Sequence, residues 1–287
     1  MNIQPLPDEL LERVLARLEI SRQPDPTPES LRAIYAAWCR RVPFDNVRKL
    51  IRLRLGNTGQ LPGDTAEDFF EAWLRHGAGG TCWPGAGACQ ALLQSLGFEA
   101  VRGIGTMLVV PGLPPNHGTV RVTFDRAHFL VDCSILHDEP LRLDAGTDMR
   151  VAHPAWGVRC HRHDGRWHVA WRPLHRVEGL DCRLESFGAG PGEFERRYEQ
   201  TRSWSPFNYE LAVRLNRDDD VIGVGFGHAV TLHGDGRVSR KPISEAERTR
   251  LLIEDVGLSE ELVRQLPADV PTPPPPWSRT AQAGATP

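Results

Sequence analysis

Thr119 to Cys133 reads TVRVTFDRAHFLVDC, and the spacing of its apolar residues decides the fold class. Val120, Val122 and Phe124 alternate with Thr119, Arg121 and Thr123, a period of two that marks a strand with one buried face. A short turn around Asp125–Ala127 leads into the apolar run HFLVDC, so the stretch predicts an antiparallel hairpin. Upstream the period is helical. PDELLERVLARLEI places Leu10, Leu11, Val14, Leu15 and Leu18 on one face, and TPESLRAIYAAWCRRV repeats Leu31, Ile34, Ala37 and Trp38 behind a cap region at Thr27. TAEDFFEAWLRHG runs from Thr65, with acids in its first turn, to a stop at Gly77. A fourth helix is expected from Cys82 to Gly97.

Downstream the pattern stays mixed. GVRCHRHDGRWHVAWRPL carries Asp164-Gly165 at its centre, the strongest short hairpin signal in the chain. GEFERRYEQTRSW reads as one helix, and YELAVRLN, VIGVGFG and HAVTLHGDGRVSRK read as strands, the last with a turn at Asp235-Gly236. SEAERTRLLIEDVG and SEELVRQL return to helix, with Ser244 and Glu247 spaced as a capping box. From Ala268 the tail is too rich in proline and small residues to pack a core, and it is expected to be disordered. Helices, then antiparallel strands, then a mixed segment make an α+β protein, not an alternating βαβ sheet.

Composition narrows the function. With 34 basic and 37 acidic side chains the formal charge is −3, and the arginines form no stripe, so neither nucleic acid nor an anionic membrane is an expected partner. No apolar run approaches the roughly 20 residues of a membrane span, and the N-terminus lacks the pattern of a secretory signal. Six scattered cysteines (39, 82, 89, 133, 160 and 182) are therefore expected to be reduced thiols in a cytoplasmic protein.

Cys82 follows Gly79-Gly80-Thr81 at the expected start of a helix, the kind of position where a thiolate is favoured. Pro84 fits there, because proline is tolerated in a first helical turn. The glycines would let a substrate approach, and their N–H groups could hold an oxyanion. A buried structural cysteine is the competing reading. A nucleophilic thiol needs a base and an orienting group. His117, read as a loop residue in PPNHGT at the hairpin mouth, and Asp132, a carboxylate in an apolar strand, are the candidates. Folding the hairpin about Arg126 leaves them three or four residues out of line, roughly 10–13 Å at about 3.3 Å per residue. The loop at Asn116 would have to bend inward to join them. A solvated loop histidine and a strand-end acceptor are the plain alternatives.

No metal is expected. Cys82 and Cys89 would lie about 10 Å apart on a helix, too far to share one zinc. The sequence CHRH puts His161 and His163 on one strand face and is the better metal candidate, but no Cys-x-x-Cys accompanies it. Cys89 is then a small core residue.

The chain resembles the arylamine N-acetyltransferase family over nearly its full length before the tail. VPFDN (Val42 to Asn46) is similar to the family's Pro-Phe-Glu-Asn segment, and GGTCW with ALLQSLGFEAV to its cysteine motif and following helix. NHGTVRVTFDRAHFLVDC matches its histidine-to-aspartate hairpin, followed in order by PLRL at 140–143 and SWSPFN at Ser203 to Asn208. The resemblance implies a cysteine-protease-like core in three parts: a helical domain over 1–98, an antiparallel β-barrel domain over 99–205 and an α/β lid over 206–267, before the tail at 268–287. It implies a Cys82–His117–Asp132 triad, with Phe44, Gly80, Trp83 and Gly118 as candidate substrate-binding or acyl-binding residues. Cys82 would take an acetyl or other acyl group from acetyl-CoA or another acyl-CoA, with no bound cofactor, and pass it in ping-pong order to an arylamine, hydrazine or hydroxylamine.

The chain also departs from the family pattern. Ala78 stands where an arginine usually precedes the two glycines, and Trp83-Pro84 where Phe-Glu usually follows the cysteine. Cys133, Ser134, Ile135 and Leu136 stand where Val-Gly-Phe-Gly commonly follows the aspartate. The first change removes an ion pair flanking the nucleophile, and the last alters the cleft floor. Phe44 and Trp83 read as core or wall aromatics more readily than as substrate stackers. Two rival functions stay open: an amide synthase that releases or cyclises an acyl chain from a carrier protein, and a non-catalytic binding protein that kept the fold. A thiol hydrolase or transglutaminase-like peptidase fits the flanking landmarks less well.

Overall fold

The computed structural model describes residues 5–20, 23–110, 112–143 and 148–276. Its N-terminal part comprises α1 (Asp8–Arg17), α2 (Pro28–Arg41), β1 (Phe44–Asp45), α3 (Val47–Arg54), α4 (Ala66–His76) and α5 (Cys82–Ser95). Next come β2 (Glu99–Met107), β3 (His117–Phe124), β4 (Ala127–Val131), β5 (Leu141–Arg142), β6 (Met149–Val151), β7 (Val158–His163), β8 (Arg166–Trp171) and β9 (Leu180–Phe187). The chain continues through α6 (Pro191–Gln200), β10 (Ala212–Arg217), β11 (Asp220–Gly225), β12 (His228–Leu232), β13 (Val238–Pro242), α7 (Glu245–Arg250) and α8 (Glu260–Val263). The fold is α+β, as the change of period implies. No helix is long and apolar enough to cross a membrane among the described residues.

Local chemistry explains the element ends. Thr27 and Thr65 cap α2 and α4 by accepting from Ser30 N and Asp68 N, and Gly77 closes α4 in the left-handed conformation. Ser244 and Glu247 form the expected reciprocal box at α7. The Asp164-Gly165 turn has φ of 48° and 74°, the two positive values that join β7 and β8 through a two-residue loop.

Eight strands form a nearly closed antiparallel barrel in the order β5-β4-β3-β2-β9-β8-β7-β6. A second sheet, β1-β10-β11-β12-β13, draws Phe44 and Asp45 of the helical part onto the C-terminal strands. Three apolar clusters follow from this layout. Helices α1, α2, α4 and α5 bury Trp38, Phe69, Phe70 and Leu92 against β2 and β3. The barrel interior holds Val158, Cys160, Val169 and Cys182. Val47, Leu50, Val213, Leu252 and Val256 join α3 to β10 and the C-terminal helices.

VRKLIRLR, to which the sequence pattern assigns no element above, forms the helix α3 on a narrow apolar stripe of Val47, Leu50 and Ile51. The expectation of a disordered tail is corrected in part. The tail is ordered over residues 268–276 by specific bonds: Asp269 Oδ1 accepts from Leu211 N, Val270 N donates to Tyr209 O, and Thr272 Oγ1 donates to Glu210 Oε2. Proline-rich sequence needs no core of its own when the segment Tyr209 to Leu211, just before β10, supplies its partners. The rest of the tail, 277–287, lies outside the described residues.

Candidate active site

The approach to Cys82 is clamped from the VPFDN segment. Asp45 accepts from Gly79 N through Oδ2 at 2.7 Å and from Val47 N through Oδ1 at 3.0 Å, while Asp45 N donates to Gly80 O. Phe44 and Gly80 form a parallel bridge. A Cβ on Gly79 would lie 1.9 Å from Pro43 O, so the backbone passes where only glycine fits. Burial pushes the Asp45 carboxyl up to about 6, with the N–H donors of Val47 and Gly79 and the Arg48 charge pulling it down. Because Gly79 N is committed to Asp45, it is not free to hold an oxyanion, which corrects that part of the glycine reading. The first turn of α5 is the better donor group, since Thr81 provides no side-chain cap there.

Cys82 opens α5, 8% exposed, with Sγ 3.9 Å from Asn116 O. His117 is the first residue of β3 and not a loop residue, paired with Gly105 of β2 and 1% exposed. The hairpin turn falls between Asp125 and Arg126, with Val120 opposite Val131 and Phe124 opposite Ala127. Asp132 therefore lies diagonal to His117 by two residues on the same face, nearer than three or four, and no inward bend is needed. His117 Nε2 and Asp132 Oδ2 are 2.7 Å apart, which leaves Nδ1 for the thiol.

Asp132 is fully engaged. Its Oδ1 accepts from Ser134 N and Ile135 N at 3.0 and 2.9 Å, and its backbone N and O both bond the Tyr35 hydroxyl. Burial alone would raise the Asp132 carboxyl and lower the His117 imidazolium. Their mutual attraction and hydrogen bond reverse both: Asp132 is held below the usual carboxylate range and His117 above the usual histidine range. A hydrogen bond between His117 and Cys82 adds to the second shift.

Cys82 and His117 line a cleft of about 640 Å³, with Phe44, Trp83 and Ser134 on its walls. Its mouth is apolar, formed by Val109, Val110, Leu113, Trp204 and the prolines 273–275 of the ordered tail. Trp83 is 2% exposed and meets the Phe194 ring edge-on at 4.8 Å, so it is a wall residue. Gly80 and Gly118 do not line the cleft. A Cβ on Gly80 would crowd Pro84 and Phe69, and one on Gly118 would sit 2.7 Å from Phe194 and 3.0 Å from Trp83. Both are small for packing behind Cys82.

The departures from the family pattern have local compensation. Ala78 is fully buried in the cluster with Val213 and Leu252, and the Gly79 N–H, with the Arg48 charge nearby, holds Asp45 in place of an arginine at position 78. Pro84 covers Gly63, where an added Cβ would meet it at 2.7 Å. Leu136 takes φ 54°, a left-handed conformation that suits the glycine usual there, and it is held by Asn216 Nδ2 bonding its carbonyl.

Lys49 was not apparent from the sequence. It is 3% exposed on the cleft wall, its Nζ donates to Thr201 Oγ1 at 2.8 Å, and the Tyr198 ring lies 5.9 Å away. Burial lowers it to about 7, opposed by the nearby Cys82 sulfur. Position 49 sits among arginines in VRKLIRLR, so only the fold shows that this one cation points inward.

The model of the N-acetyltransferase family matches residues 27–259. A curated arylamine N-acetyltransferase from Mycolicibacterium smegmatis is 26% identical over 175 residues, 56% of this chain and 62% of that protein, so the match spans less than two thirds of the relative. Among solved structures, M. smegmatis arylamine N-acetyl transferase superposes with a TM-score of 0.73 at 22% identity, covering 89% of this chain and 96% of that one. The Mycobacterium marinum arylamine N-acetyltransferase in complex with CoA gives 0.75 at 19%, covering 88% and 94%. At these identities the superpositions speak for the fold, and the family model for descent. The chain belongs to the N-acetyltransferase family, as a divergent relative of the arylamine N-acetyltransferases.

Proposed function

We propose that the protein is an acyltransferase of the arylamine N-acetyltransferase type, with Cys82 as nucleophile, His117 as base and Asp132 as orienting group. The observation that carries this reading is the buried 2.7 Å contact of His117 Nε2 with Asp132, which presents the other ring nitrogen to a thiol on the cleft wall. His117 Nδ1 takes the thiol proton, and the sulfur attacks the carbonyl of an acyl-CoA thioester. The N–H groups of the uncapped first turn of α5 hold the oxyanion. The carbon–sulfur bond to CoA breaks, and CoA leaves as a thiol with the proton from His117. An arylamine, hydrazine or hydroxylamine nitrogen then attacks the Cys82 thioester, His117 accepts its proton, and the amide departs as the Cys82 thiol reforms. The stabilised imidazolium is the partner that a Cys82 thiolate requires. The CoA-bound relative supports an acyl-CoA donor.

One observation favours a second reading of the donor. The cleft volume is that of a pocket for a drug-sized ligand and far exceeds an acetyl group. Its apolar mouth suits a longer acyl chain, as the amide synthase would need.

Intact mass after brief incubation with acetyl-CoA tests both readings. One acetyl adduct, absent from Cys82→Ala and discharged by an added arylamine, is the expected result. An adduct formed only from a longer acyl thioester favours the second reading. No adduct from either, with Cys82 inert to an alkylating reagent, overturns both.

A further inference from the structure

The outer face of the barrel carries a set of unsatisfied ligand groups. Cys160, Val169 and Cys182 point into the barrel core, each 0% exposed, so their neighbours His161, His168 and Asp181 point to the opposite face of β7, β8 and β9. His161 and His168 are directly paired across β7 and β8. Asp181 lies one strand further, diagonal to His168, whose direct partner on β9 is Arg183. One ligand atom from each of the three lies within 4.8 Å of the others.

Among the described residues none of the three side chains makes a hydrogen bond or an ion pair, although the His161 and His168 rings meet at 5.6 Å between centroids. His161 Nδ1 is buried and makes no hydrogen bond. His168 is 94% buried by its 6% exposure, and among the described residues no hydrogen bond engages its ring. The Asp181 carboxylate likewise takes part in no hydrogen bond or ion pair there, its backbone carbonyl alone accepting from Leu108 N. A buried imidazole nitrogen such as His161 Nδ1 is costly unless something binds it. Arg183 does not serve, because its guanidinium is held by Glu185 at 2.7 Å.

We propose that His161, His168 and Asp181 bind a divalent metal ion of the zinc class, with solvent completing the coordination. Two imidazoles and one carboxylate form a ligand set that zinc accepts at about 2.0–2.2 Å, and zinc stands above iron and manganese in affinity for nitrogen donors. Ligand atoms up to 4.8 Å apart need only small side-chain rotations to meet at one ion. The histidine that sequence spacing paired with His161 is not a member: His163 stands edge-on to His168 with ring centroids 5.6 Å apart, beside Asp164. None of the three ligands lines the cleft, so the site staples β7, β8 and β9 and does not supply the acyl-transfer chemistry.

The test is zinc titration, by calorimetry, of the full chain carrying Cys82→Ser, which removes the reactive thiol as a competing ligand. After stripping with a chelator, one equivalent of zinc is expected to bind per chain and to raise Tm. His168→Gln and Asp181→Asn should each weaken binding at least tenfold and abolish the Tm rise, and His163→Ala should leave both unchanged. Asp181→Asn is nearly isosteric at a partly exposed position, so it stays informative if His168→Gln fails to fold. Absence of saturable binding at one equivalent, binding that survives Asp181→Asn, or binding lost in His163→Ala would overturn the site.

Discussion

His117 Nε2 lies 2.7 Å from Asp132 Oδ2 although the two residues are not opposite one another in the β3–β4 hairpin. They are diagonal neighbours, and the contact exists because Asp132 is held from the other side by Ser134 N, Ile135 N and Tyr35. Diagonal pairs are within reach only of side chains that lean toward each other, and the backbone turn after Asp132 supplies that lean.

Asp132→Asn should therefore preserve the fold and damage the chemistry. The amide oxygen can keep accepting from Ser134 N and Ile135 N, but the charge that stabilises the imidazolium is gone. A fall of about 10³- to 10⁴-fold in Cys82 acylation is expected, as in other triads that lose the orienting carboxylate. Stopped-flow or quenched intact-mass kinetics would measure it. A loss smaller than tenfold in a well-folded variant would reduce Asp132 to a structural role.

The parts of this site that could be read from sequence are those where spacing and geometry are coupled. The period of two after Thr119 places alternate residues on one face, and the register then needs only the position of the turn. That position was the missing quantity: a turn centred between Asp125 and Arg126, instead of on Arg126, moves Asp132 closer to line with His117. Lys49 was hidden for a different reason. Its neighbours Arg48 and Arg52 make the stretch look like a solvated basic face, and burial depends on Thr201 and Tyr198, some 150 residues away in sequence. The metal ligands His168 and Asp181 were equally invisible, since strand pairing and not sequence spacing brings them to His161.

Lys49 predicts a stability profile with a definite sign. Its folded pKa is about 7 against an ordinary 10.5, so between those values the unfolded chain binds a proton that the folded chain has released. Stability from this group consequently rises with pH from about 7 to 10.5 and is least below 7. Lys49→Met should stabilise the protein at pH 7 by about 1–3 kcal/mol, and the difference should shrink toward pH 10. Tm measured across pH 6.5–10 decides the matter: a gap between variant and parent that stays constant with pH would reject it. The same variant is expected to slow Cys82 acylation at pH 7, because it removes a positive charge beside the sulfur.

Gly79 is the tightest point of the cysteine approach. With Pro43 O 1.9 Å from where a Cβ would be, Gly79→Ala must displace β1 or the start of α5, and either shift breaks the bond from Gly79 N to Asp45. A destabilisation of about 3 kcal/mol or more is expected, with a parallel loss of Cys82 alkylation by iodoacetamide. Urea denaturation provides the first number and the alkylation rate the second. Parental values in both would mean that the Asp45 clamp does not position Cys82.

The ordered tail makes a prediction about selectivity. Trp204 Nε1 donates to Pro273 O at 3.0 Å, and Thr272 and the three prolines that follow line the cleft mouth. These contacts are peripheral, while Cys82, His117 and Asp132 are fixed by α5 and the barrel hairpin. Removing residues 268–287 should leave acetylation of Cys82 by acetyl-CoA within about twofold of the parent, since no clamp on the triad is lost. It should widen the mouth and raise kcat/KM for bulky arylamines relative to small ones. The loss of a few partly exposed hydrogen bonds should lower stability by about 1–2 kcal/mol. Competition between a small and a bulky arylamine, read as product ratio in parent and truncated protein, isolates the effect from overall activity. An unchanged ratio would mean that the prolines lie along the cleft without restricting what enters it.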